Sequence, residues 1–467
     1  MESVNPFNGE IVARYEEMAR ETVNAVIEAA HQAHLGWRER SFAERAQPMK
    51  RAAELLRERA AEYGRLMALE MGKPVRDGIA EAKKCAIGCE FYAVEAERFL
   101  APQPVELEGR KARVVFRPLG VLLAVMPWNF PFWQVIRFAA PALMAGNGAV
   151  LKHAANVQGC ALALERLFHD AGFPEQLFRT LLIGNKAVDG VIEHPLVRAV
   201  SLTGSCGAGR AVARKAGECL KKCVLELGGS DAYVILDDAD VVFAAAQSAK
   251  GRLVNGGQSC IAAKRFIVIE RVCAEFEKHL VEEMAKARAG DPLDEATTLG
   301  PMARRDLRDL LHDQVRRSVE LGARCLLGGA IPPGEGAFYP PTVLTNVRNG
   351  MPAYDEELFG PVAAIISARD EDDAIRLAND SEFGLGGGVF TRDLKRGDAL
   401  AADRLEAGLV FVNAPAESNP KLPFGGIKDS GYGRELSSFG IHEFVNIKTV
   451  VVTPHGSTAS QDSVHSE

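Results

Sequence analysis

The sequence predicts an α/β protein with two doubly wound domains, each built around a mostly parallel sheet. The chain has 467 residues, which is too long for one hydrophobic core, because single cores stop growing near about 250 to 300 residues. From residue 120 onward, near-continuous apolar runs alternate with helical stretches, a pattern typical of parallel strands covered on both faces. A second alternating set begins after Cys260. Such sheets bind ligands beyond the carboxyl ends of their strands.

The first hundred residues predict three amphipathic helices, at 22–37, 43–71 and 75–99, because apolar residues recur there at helical spacing. Gly72-Lys73-Pro74 predicts the end of the second helix. Helices with one charged face usually cover a sheet, and we assign these three no chemistry.

The two alternating sets define the strands of the two sheets. The first set predicts strands at 113–116, 120–126, 148–152, 180–183, 199–202, 224–227 and 232–236, with helices at 132–144, 158–170 and 207–216. The second predicts strands at 265–269, 323–327, 362–367, 387–390 and 408–413, with helices at 273–288, 302–321, 371–379 and 394–404. Glycines and prolines at 328–341 predict a loop.

Composition and charge exclude several classes of function. A net charge of -7 provides no electrostatic footprint for nucleic acid. No stretch reaches the 18 or so apolar residues of a membrane span, and the N-terminus lacks the pattern of a signal peptide, so we expect a cytoplasmic protein without a membrane partner. The nine cysteines include two pairs at helical spacing, Cys85/Cys89 and Cys219/Cys223, without histidine companions. We therefore expect free thiols and no metal site.

One cysteine stands at the end of a glycine-rich turn, Asn255-Gly256-Gly257-Gln258-Ser259-Cys260. The two glycines let the backbone come close to a ligand or to another segment, and small residues after Cys260 leave room for a molecule to approach the sulfur. This setting favours a nucleophile. The alternative is an inert buried thiol that packs as a small hydrophobe.

Three further motifs carry polar groups at predicted strand ends. Glycines at 203–209 precede a helix, where backbone N–H groups can face a pyrophosphate. Glu226 ends an apolar strand, where burial would raise its pKa toward that of a general base, and Asn129 follows another strand, where its amide could donate to an oxyanion. The alternatives are an ordinary strand-to-helix turn, a capping carboxylate and a turn-forming asparagine. Together with Cys260, these residues supply the parts of an acyl-forming thiol enzyme.

The chain resembles the NAD(P)-dependent aldehyde dehydrogenase superfamily over nearly its whole length. Four motifs occur in the family's order and spacing: Pro127-Trp128-Asn129-Phe130-Pro131, Glu226-Leu227-Gly228-Gly229, Gly257-Gln258-Ser259-Cys260 and Glu357-Leu358-Phe359-Gly360-Pro361-Val362. The resemblance implies that Cys260 attacks the aldehyde and that Asn129 and the Cys260 backbone N–H hold the oxyanion. It also implies that hydride leaves to the nicotinamide and that Glu226 activates the water that hydrolyses the thioester.

The resemblance further implies a set of cofactor-binding residues, with Lys152 at the adenosine ribose, Ser205 at the pyrophosphate, and Glu357 with Phe359 at the nicotinamide end. The full set is Trp128, Lys152, Gly204, Ser205, Gly209, Leu227, Glu357 and Phe359. Members that prefer NAD often carry Glu three residues after the lysine, and here Ala155 stands there. Without a carboxylate to repel a 2′-phosphate, we expect NAD with NADP also accepted.

The family's domain plan, carried onto this sequence, has two Rossmann-like domains and a small β element for oligomerisation. It places a cofactor domain at 1–103 and 121–227 and a catalytic domain at 228–426. Oligomerisation strands fall at 104–120 and 427–454, and a disordered tail at 455–467. We expect a homodimer or homotetramer.

The substrate prediction rests on Arg137, which matches an arginine that succinate-semialdehyde dehydrogenases use on the substrate's far carboxylate; its fork geometry suits a carboxylate. We also assign Trp133, Ser259 and Ser418 to substrate binding. A second arginine common in that group is replaced by Val254, and Arg137 could instead form a surface salt bridge. We expect oxidation of a carboxylate-bearing aldehyde, succinate semialdehyde, to its acid.

Three other functions stay open on the sequence alone. One is a broad-specificity aliphatic aldehyde dehydrogenase, and another is a CoA-acylating dehydrogenase, which would not need Glu226. The third is a catalytically silent NAD-binding structural protein, which would not need Cys260.

Overall fold

The computed structural model describes residues 1–454, and the predicted disordered tail at 455–467 lies outside this range. The helices are α1 (Arg20–Trp37), α2 (Phe42–Glu58), α3 (Ala60–Met71), α4 (Val75–Phe99), α5 (Trp133–Met144), α6 (Gln158–Asp170), α7 (Val188–Glu193), α8 (Cys206–Glu218), α9 (Val241–Leu253), α10 (Glu270–Met284), α11 (Arg305–Glu320), α12 (Pro352–Asp355), α13 (Glu371–Asn379), α14 (Leu394–Ala399) and α15 (Ser437–Glu443).

The strands form two large sheets and three small ones. They are β1 (Glu2–Val4), β2 (Ile11–Arg14), β3 (Gln103–Leu107), β4 (Arg110–Pro118), β5 (Val121–Met126), β6 (Gly148–His153), β7 (Phe178–Thr180), β8 (Val197–Thr203), β9 (Lys222–Glu226), β10 (Ala232–Ile235), β11 (Arg265–Ile269), β12 (Arg324–Leu327), β13 (Thr342–Thr345), β14 (Val362–Ala368), β15 (Phe383–Gly384), β16 (Gly386–Phe390), β17 (Leu409–Val412), β18 (Ile427–Lys428), β19 (Gly431–Tyr432) and β20 (Val445–Val452).

The first large sheet has the order β19-β9-β8-β5-β6-β7, with every pair parallel except β19 with β9. Both of its faces are covered, and alternate residues of β5 show why. Leu122 and Ala124 pack into a core shared with α2 to α6, while Val121 and Leu123 pack into a second core with α1, α7 and α8. The strand is therefore apolar at every position, as expected of a doubly covered parallel sheet.

The second large sheet has the order β12-β13-β14-β11-β10-β16-β17, and only its edge pair β12–β13 is antiparallel. It packs into a third core with α9, α10, α11 and α13. The structure thus confirms the predicted pair of mostly parallel α/β sheets. Of the helices in residues 1–454, none is long and apolar enough to cross a membrane.

A separate three-stranded antiparallel sheet joins β3, β4 and β20. These strands come from the two segments for which the family resemblance implies oligomerisation strands. β19 lies in the second of those segments but pairs with β9 at the edge of the first large sheet, so not all of 427–454 joins this small sheet.

Several predicted elements differ from the observed ones. The helix predicted at 43–71 is two helices, because the backbone at Arg59 leaves helical geometry (φ -101°, ψ 15°). The strand predicted at 180–183 is β7, which ends at Thr180, and the apolar residues Leu181 and Ile183 are buried after it outside the strand. Helix α9 was not predicted, although Asp240 caps it by accepting a hydrogen bond from the Phe243 N–H (3.1 Å).

Candidate active site

The cysteine turn follows α9 and reverses the chain through three left-handed residues. Asn255, Gly256 and Gly257 have φ values of 53°, 63° and 75°, a region that favours glycine and asparagine. A Cβ at Gly257 would lie 2.1 Å from the Gly360 carbonyl oxygen. Gly257 is therefore required by the close approach of another backbone segment, one of the two uses that the sequence predicted for these glycines.

The turn is joined to the loop after β5 by a small hydrogen-bond network. The Gln258 carbonyl accepts from the side-chain amides of both Asn129 (3.0 Å) and Asn255 (3.1 Å). Asn255 Nδ2 also donates to the Asn129 carbonyl (2.8 Å), and Gln258 Oε1 accepts from the Ala303 N–H (2.9 Å). These contacts hold the Asn129 amide beside the backbone that leads into Cys260.

The orientation of the Asn129 amide is fixed from both ends. Its Oδ1 accepts from Gln134 Nε2 (3.0 Å), and its Nδ2 donates to Gln258. An amide nitrogen has two N–H donors, so one remains for an oxyanion. The Asn129 carbonyl also accepts from Lys73 Nζ (2.9 Å), whose ammonium is ion-paired with the buried Glu81.

The loop that carries Asn129 is further supported by a buried histidine. His153 Nε2 donates to the Pro131 carbonyl (2.9 Å), while its Nδ1 lies 3.1 Å from the Met126 carbonyl oxygen and accepts from the Ala154 N–H (3.0 Å). Burial lowers the pKa of His153 to about 4. The ring is therefore neutral at physiological pH, which matches one donating and one accepting nitrogen.

Glu226 ends β9 and is buried at 1% exposure. Within residues 1–454 neither of its carboxyl oxygens has a hydrogen-bond partner. Burial and the nearby Glu435 carboxyl raise the pKa of Glu226 well above its usual range, while Arg137 opposes the rise. Gly425 leaves room for this side chain, because a Cβ there would lie 2.6 Å from Glu226 Oε1. An unpartnered carboxyl group with a raised pKa is suited to accept a proton near neutral pH.

Burial raises the pKa of the Cys260 thiol to about 12, and Glu226 and Glu357 add to the rise, whereas Arg137 and Lys264 oppose it. Lys264 Nζ donates to the carbonyls of Ser259 (2.9 Å) and Cys260 (2.7 Å) and lies 3.4 Å from Glu357 Oε1. The thiol of the isolated protein is thus neutral, and two carboxyl groups and two cations act on it electrostatically.

The charge of Arg137 acts on Cys260 but is already paired with another residue of this chain. Its guanidinium is buried at 3% exposure, forms an ion pair with Glu435, donates to Thr203 Oγ1 (3.3 Å) and lies over the Phe424 ring. The sequence predicted that Arg137 could face the aldehyde tunnel and bind the substrate's far carboxylate, but its charge is already matched by a buried carboxylate. The alternative, a surface salt bridge, is wrong because both partners are buried.

Among the other residues assigned to the substrate, Trp133 and Ser418 meet. Trp133 Nε1 donates to Ser418 Oγ (2.9 Å), and Lys84 Nζ donates to the same oxygen (2.8 Å). Ser259 is buried beside Cys260 with its carbonyl directed at Lys264.

Of the residues assigned to the cofactor, Lys152, Gly204, Ser205 and Leu227 lie at the carboxyl ends of β6, β8 and β9. Lys152 Nζ donates to Asn185 Oδ1 (2.7 Å), and Ser205 caps α8 by accepting from the Ala208 N–H (3.3 Å). Gly204 donates its N–H to the Glu226 carbonyl (2.9 Å). A Cβ at Gly209 would lie 2.6 Å from Leu227, so this glycine lets α8 pack tightly on that leucine.

These residues fit a dinucleotide. A Cβ at Gly207, in the first turn of α8, would meet no atom within 4 Å, so the helix N-terminus is open to an anion. At the other end, the rings of Trp128 and Phe359 meet edge to face at 5.8 Å. Glu357 accepts from the Gly229 N–H (3.0 Å). The chain thus offers an anion site at the N-terminus of α8, a cation at Lys152, and the side chains of Trp128, Phe359 and Glu357 for the nicotinamide end of the cofactor.

The site lies between the two large sheets. Asn129 and Glu226 follow the carboxyl ends of β5 and β9 in the first sheet, while Cys260 precedes the amino end of β11 in the second. The predicted convergence of these three residues is therefore seen, with the cysteine supplied by the segment between the sheets.

Sequence reasoning missed four charged residues around the site: Lys73, Lys84, Lys264 and Glu435. Lys264 carried a signal, because a lysine directly before the apolar strand β11 is poorly placed for solvent. Lys73 was interpreted as part of a helix end, and Lys84 as one of many charges on a surface helix. Glu435 lies 234 residues from Ser201 and 298 residues from Arg137, its side-chain partners, and nothing local indicates either of them.

Comparison with known proteins agrees with this geometry. Residues 1–450 match the model of the aldehyde dehydrogenase family. The chain is 46% identical over 448 residues, 96% of this chain and 97% of the other, to a protein of Escherichia coli named as the NAD(P)+ succinate semialdehyde dehydrogenase Sad. It is 49% identical over 452 residues, 96% of this chain and 98% of the other, to an aldehyde dehydrogenase of Paenarthrobacter nicotinovorans.

Among solved structures, the succinic semialdehyde dehydrogenase of Streptococcus pyogenes in complex with NADP+ superposes with a TM-score of 0.95 at 37% identity, over 97% of this chain and 100% of that one. The match covers both large sheets and the segment that carries the cysteine. On the family match, the sequence identities and the shared fold, the chain belongs to the aldehyde dehydrogenase family.

Proposed function

We propose that the protein oxidises succinate semialdehyde to succinate with NAD or NADP, through a thioester on Cys260. The observation that carries the proposal is the meeting of a thiol, a fixed amide donor and an unpartnered carboxyl group in one buried place. The names of the relatives from E. coli and S. pyogenes support the choice of substrate and of cofactor.

The residues of the chain divide the reaction between them. The Cys260 thiol releases its proton to solvent as its sulfur attacks the aldehyde carbon, and the free N–H of Asn129 donates to the oxyanion that forms. When bound, the nicotinamide accepts the hydride that leaves the carbon. Glu226 then takes a proton from the water that attacks the thioester, which releases the acid and returns the proton to the cysteine sulfur.

The cofactor is held by Lys152, by the N-terminus of α8 at Ser205 and by Glu357. Ala155 stands three residues after Lys152 and places no carboxylate against a 2′-phosphate, so the proposal includes turnover with NADP. Purified protein that gave no NADP-linked turnover at millimolar cofactor would contradict this part.

We further propose a homodimer or homotetramer that assembles through the sheet of β3, β4 and β20. This sheet exposes apolar side chains on both outer strands, among them Val105, Leu107, Ile447 and Val451, and an exposed apolar edge favours association. Replacing Ile447 by Lys should shift the protein to a smaller species in light scattering. A cytoplasmic location is supported by the nine cysteines, all of them free thiols.

The proposed reaction is tested by following the absorbance of the reduced nicotinamide cofactor as it forms. Succinate semialdehyde should be oxidised with either cofactor and without CoA, because Glu226 supplies hydrolysis. A Cys260→Ala variant is the control. Turnover that needs CoA, or no turnover with any aldehyde of a small panel, would overturn the proposal.

A further inference from the structure

We propose that Lys84, on α4, binds the far carboxylate of the substrate in this chain, together with the Ser418 hydroxyl. The inference rests on the proposed function, because it concerns a substrate that carries a carboxylate. Lys84 thus takes the role that the sequence assigned to Arg137, selection for a substrate carboxylate. The guanidinium of Arg137 is already ion-paired with Glu435.

Lys84 lines a cavity of about 430 Å³ that adjoins the cysteine turn. Its wall includes Val254 and Asn255 from that turn and Phe130 from the loop that carries Asn129. Trp133 forms a further part, and the Lys84 ammonium lies 4.7 Å from the centre of its ring. The volume is in the range of small-molecule pockets, and the lining comes from the same two loops that build the site.

Lys84 and Ser418 have more hydrogen-bond donors than their mutual hydrogen bond uses, so some donors remain for a ligand. Ser418 Oγ accepts from both Lys84 Nζ (2.8 Å) and Trp133 Nε1 (2.9 Å). A hydroxyl oxygen has two lone pairs and an ammonium has three N–H donors. Both lone pairs of Ser418 are therefore used, while its O–H and two N–H groups of Lys84 stay available. This set of donors suits an acceptor with two oxygens, which a carboxylate supplies.

The charges around the site single out Lys84. Three buried cations near the site are each matched by a carboxylate, in the pairs Arg137 with Glu435, Lys73 with Glu81 and Lys264 with Glu357. Lys250, which also lines the cavity, is exposed to solvent. Within the described residues 1–454, Lys84 has no carboxylate within ion-pair distance. A partly buried cation without a counter-ion attracts an anionic ligand, since that ligand removes the desolvation penalty of the charge.

The other charged side chains that face the cavity do not cancel the positive charge of Lys84. Lys73 and Glu81 also line the wall and cancel each other. Asp77 lines it too and interacts with the cations Lys73 and Arg76, while Lys250 adds a second positive charge from α9. Glu417 is exposed and acts on Lys84 only through its field. The balance of Lys84 and Lys250 against Asp77 leaves the cavity net positive.

Helix α5 sets the direction of the substrate. Trp133 and Arg137 are four residues apart, so they lie on one face of the helix. Arg137 and the Cys260 thiol interact electrostatically, so this part of α5 lies near the sulfur. Trp133 is one helical turn, about 5.4 Å, from Arg137 along α5, and the Lys84 ammonium packs on its ring. We place the carboxyl end of a four-carbon aldehyde at this position.

The test compares succinate semialdehyde with butanal, an uncharged aldehyde of the same chain length. In Lys84→Met the KM for succinate semialdehyde should rise by about 10- to 100-fold, the size expected of a hydrogen bond to a charged group. The ratio of kcat/KM between the two aldehydes should fall by the same factor, and Lys84→Arg should restore most of it. Lys84→Gln, measured alongside, gives the same comparison if the Met variant does not fold.

Lys83→Met is the matched control, because Lys83 is the exposed neighbour on the same helix, and it should leave the ratio at the wild-type value. If wild type prefers succinate semialdehyde and the ratio survives in both Lys84 variants, the assignment of Lys84 is wrong while the proposed function stands. If wild type shows no preference between the two aldehydes, the proposed substrate is wrong, and the assignment is wrong with it.

Discussion

Asn129 and Glu226 both contribute to the site of Cys260, but their side chains differ in how far the surrounding residues hydrogen-bond them. The side-chain oxygen and nitrogen of Asn129 and its backbone carbonyl are all hydrogen-bonded, to Gln134, Gln258, Asn255 and Lys73. Among residues 1–454, neither carboxyl oxygen of Glu226 has any partner.

Asn129 is hydrogen-bonded and Glu226 is not because the two residues have different roles in the proposed reaction. An oxyanion donor is most effective when it is already oriented before charge develops. The hydrogen-bond network around Asn129 provides this orientation. A general base must exchange a proton, and a hydrogen bond or ion pair to its charged form would lower its pKa. Leaving Glu226 without a partner costs about 1–3 kcal/mol, a loss that is tolerated at functional sites.

The largest effect should come from Glu226. In Glu226→Gln we expect steady-state turnover to fall by about 10²- to 10⁴-fold, the range for loss of a general base. The unfolding temperature should stay near that of wild type, because no hydrogen bond is lost. The kcat and the thermal midpoint are measured on the same preparation, and a large drop in the midpoint would show that Glu226 is structural.

Asn129 should show the opposite combination. In Asn129→Ala we expect kcat to fall by about 10²- to 10³-fold, the loss seen for one oxyanion donor. The protein should also lose about 1–3 kcal/mol of unfolding free energy, because Gln134 and the Gln258 carbonyl lose a partner in a buried place. Unchanged stability would mean that the network around Asn129 is not rigid.

The buried pair Lys73–Glu81 extends this network, and breaking it should mainly affect stability. Lys73→Met leaves Glu81 as an uncompensated buried charge, which costs about 3–5 kcal/mol, and removes one donor to the Asn129 carbonyl. We expect a marked drop in thermal midpoint with a smaller drop in kcat, by about tenfold. The exposed Arg76, three residues away, provides the control variant Arg76→Met, which should change neither.

The smallest effect is the pH dependence that His153 contributes. Its pKa is about 4 in the folded protein and about 6.5 when unfolded. The unfolded chain therefore binds a proton first as the pH falls, so the contribution to stability is complete above pH 6.5 and is lost between there and pH 4. From pH 7 to pH 5 the loss is about 2 kcal/mol. The thermal midpoint of wild type should fall more over this range than that of His153→Leu, and parallel curves would contradict the assignment.

The comparison of Asn129 and Glu226 also shows what a sequence can predict. Both residues, and Cys260, were found because they follow apolar strands or a glycine-rich turn, which are local patterns. The direction of Arg137 could not be predicted, because its partner Glu435 is 298 positions away in the sequence and belongs to no motif that the sequence analysis used. Helix α9 was missed because its apolar residues surround most of the helix, so they show no clear one-sided period.

The central claim is that Cys260 carries the acyl group and Glu226 removes it. Intact-mass measurement of Glu226→Gln, incubated with oxidised cofactor and succinate semialdehyde, tests both parts. We predict that one succinyl group accumulates per chain, that peptide mapping places it on Cys260, and that it is absent from Cys260→Ala in the same background. An unmodified Glu226→Gln protein, or a succinyl group that persists without Cys260, would contradict the account.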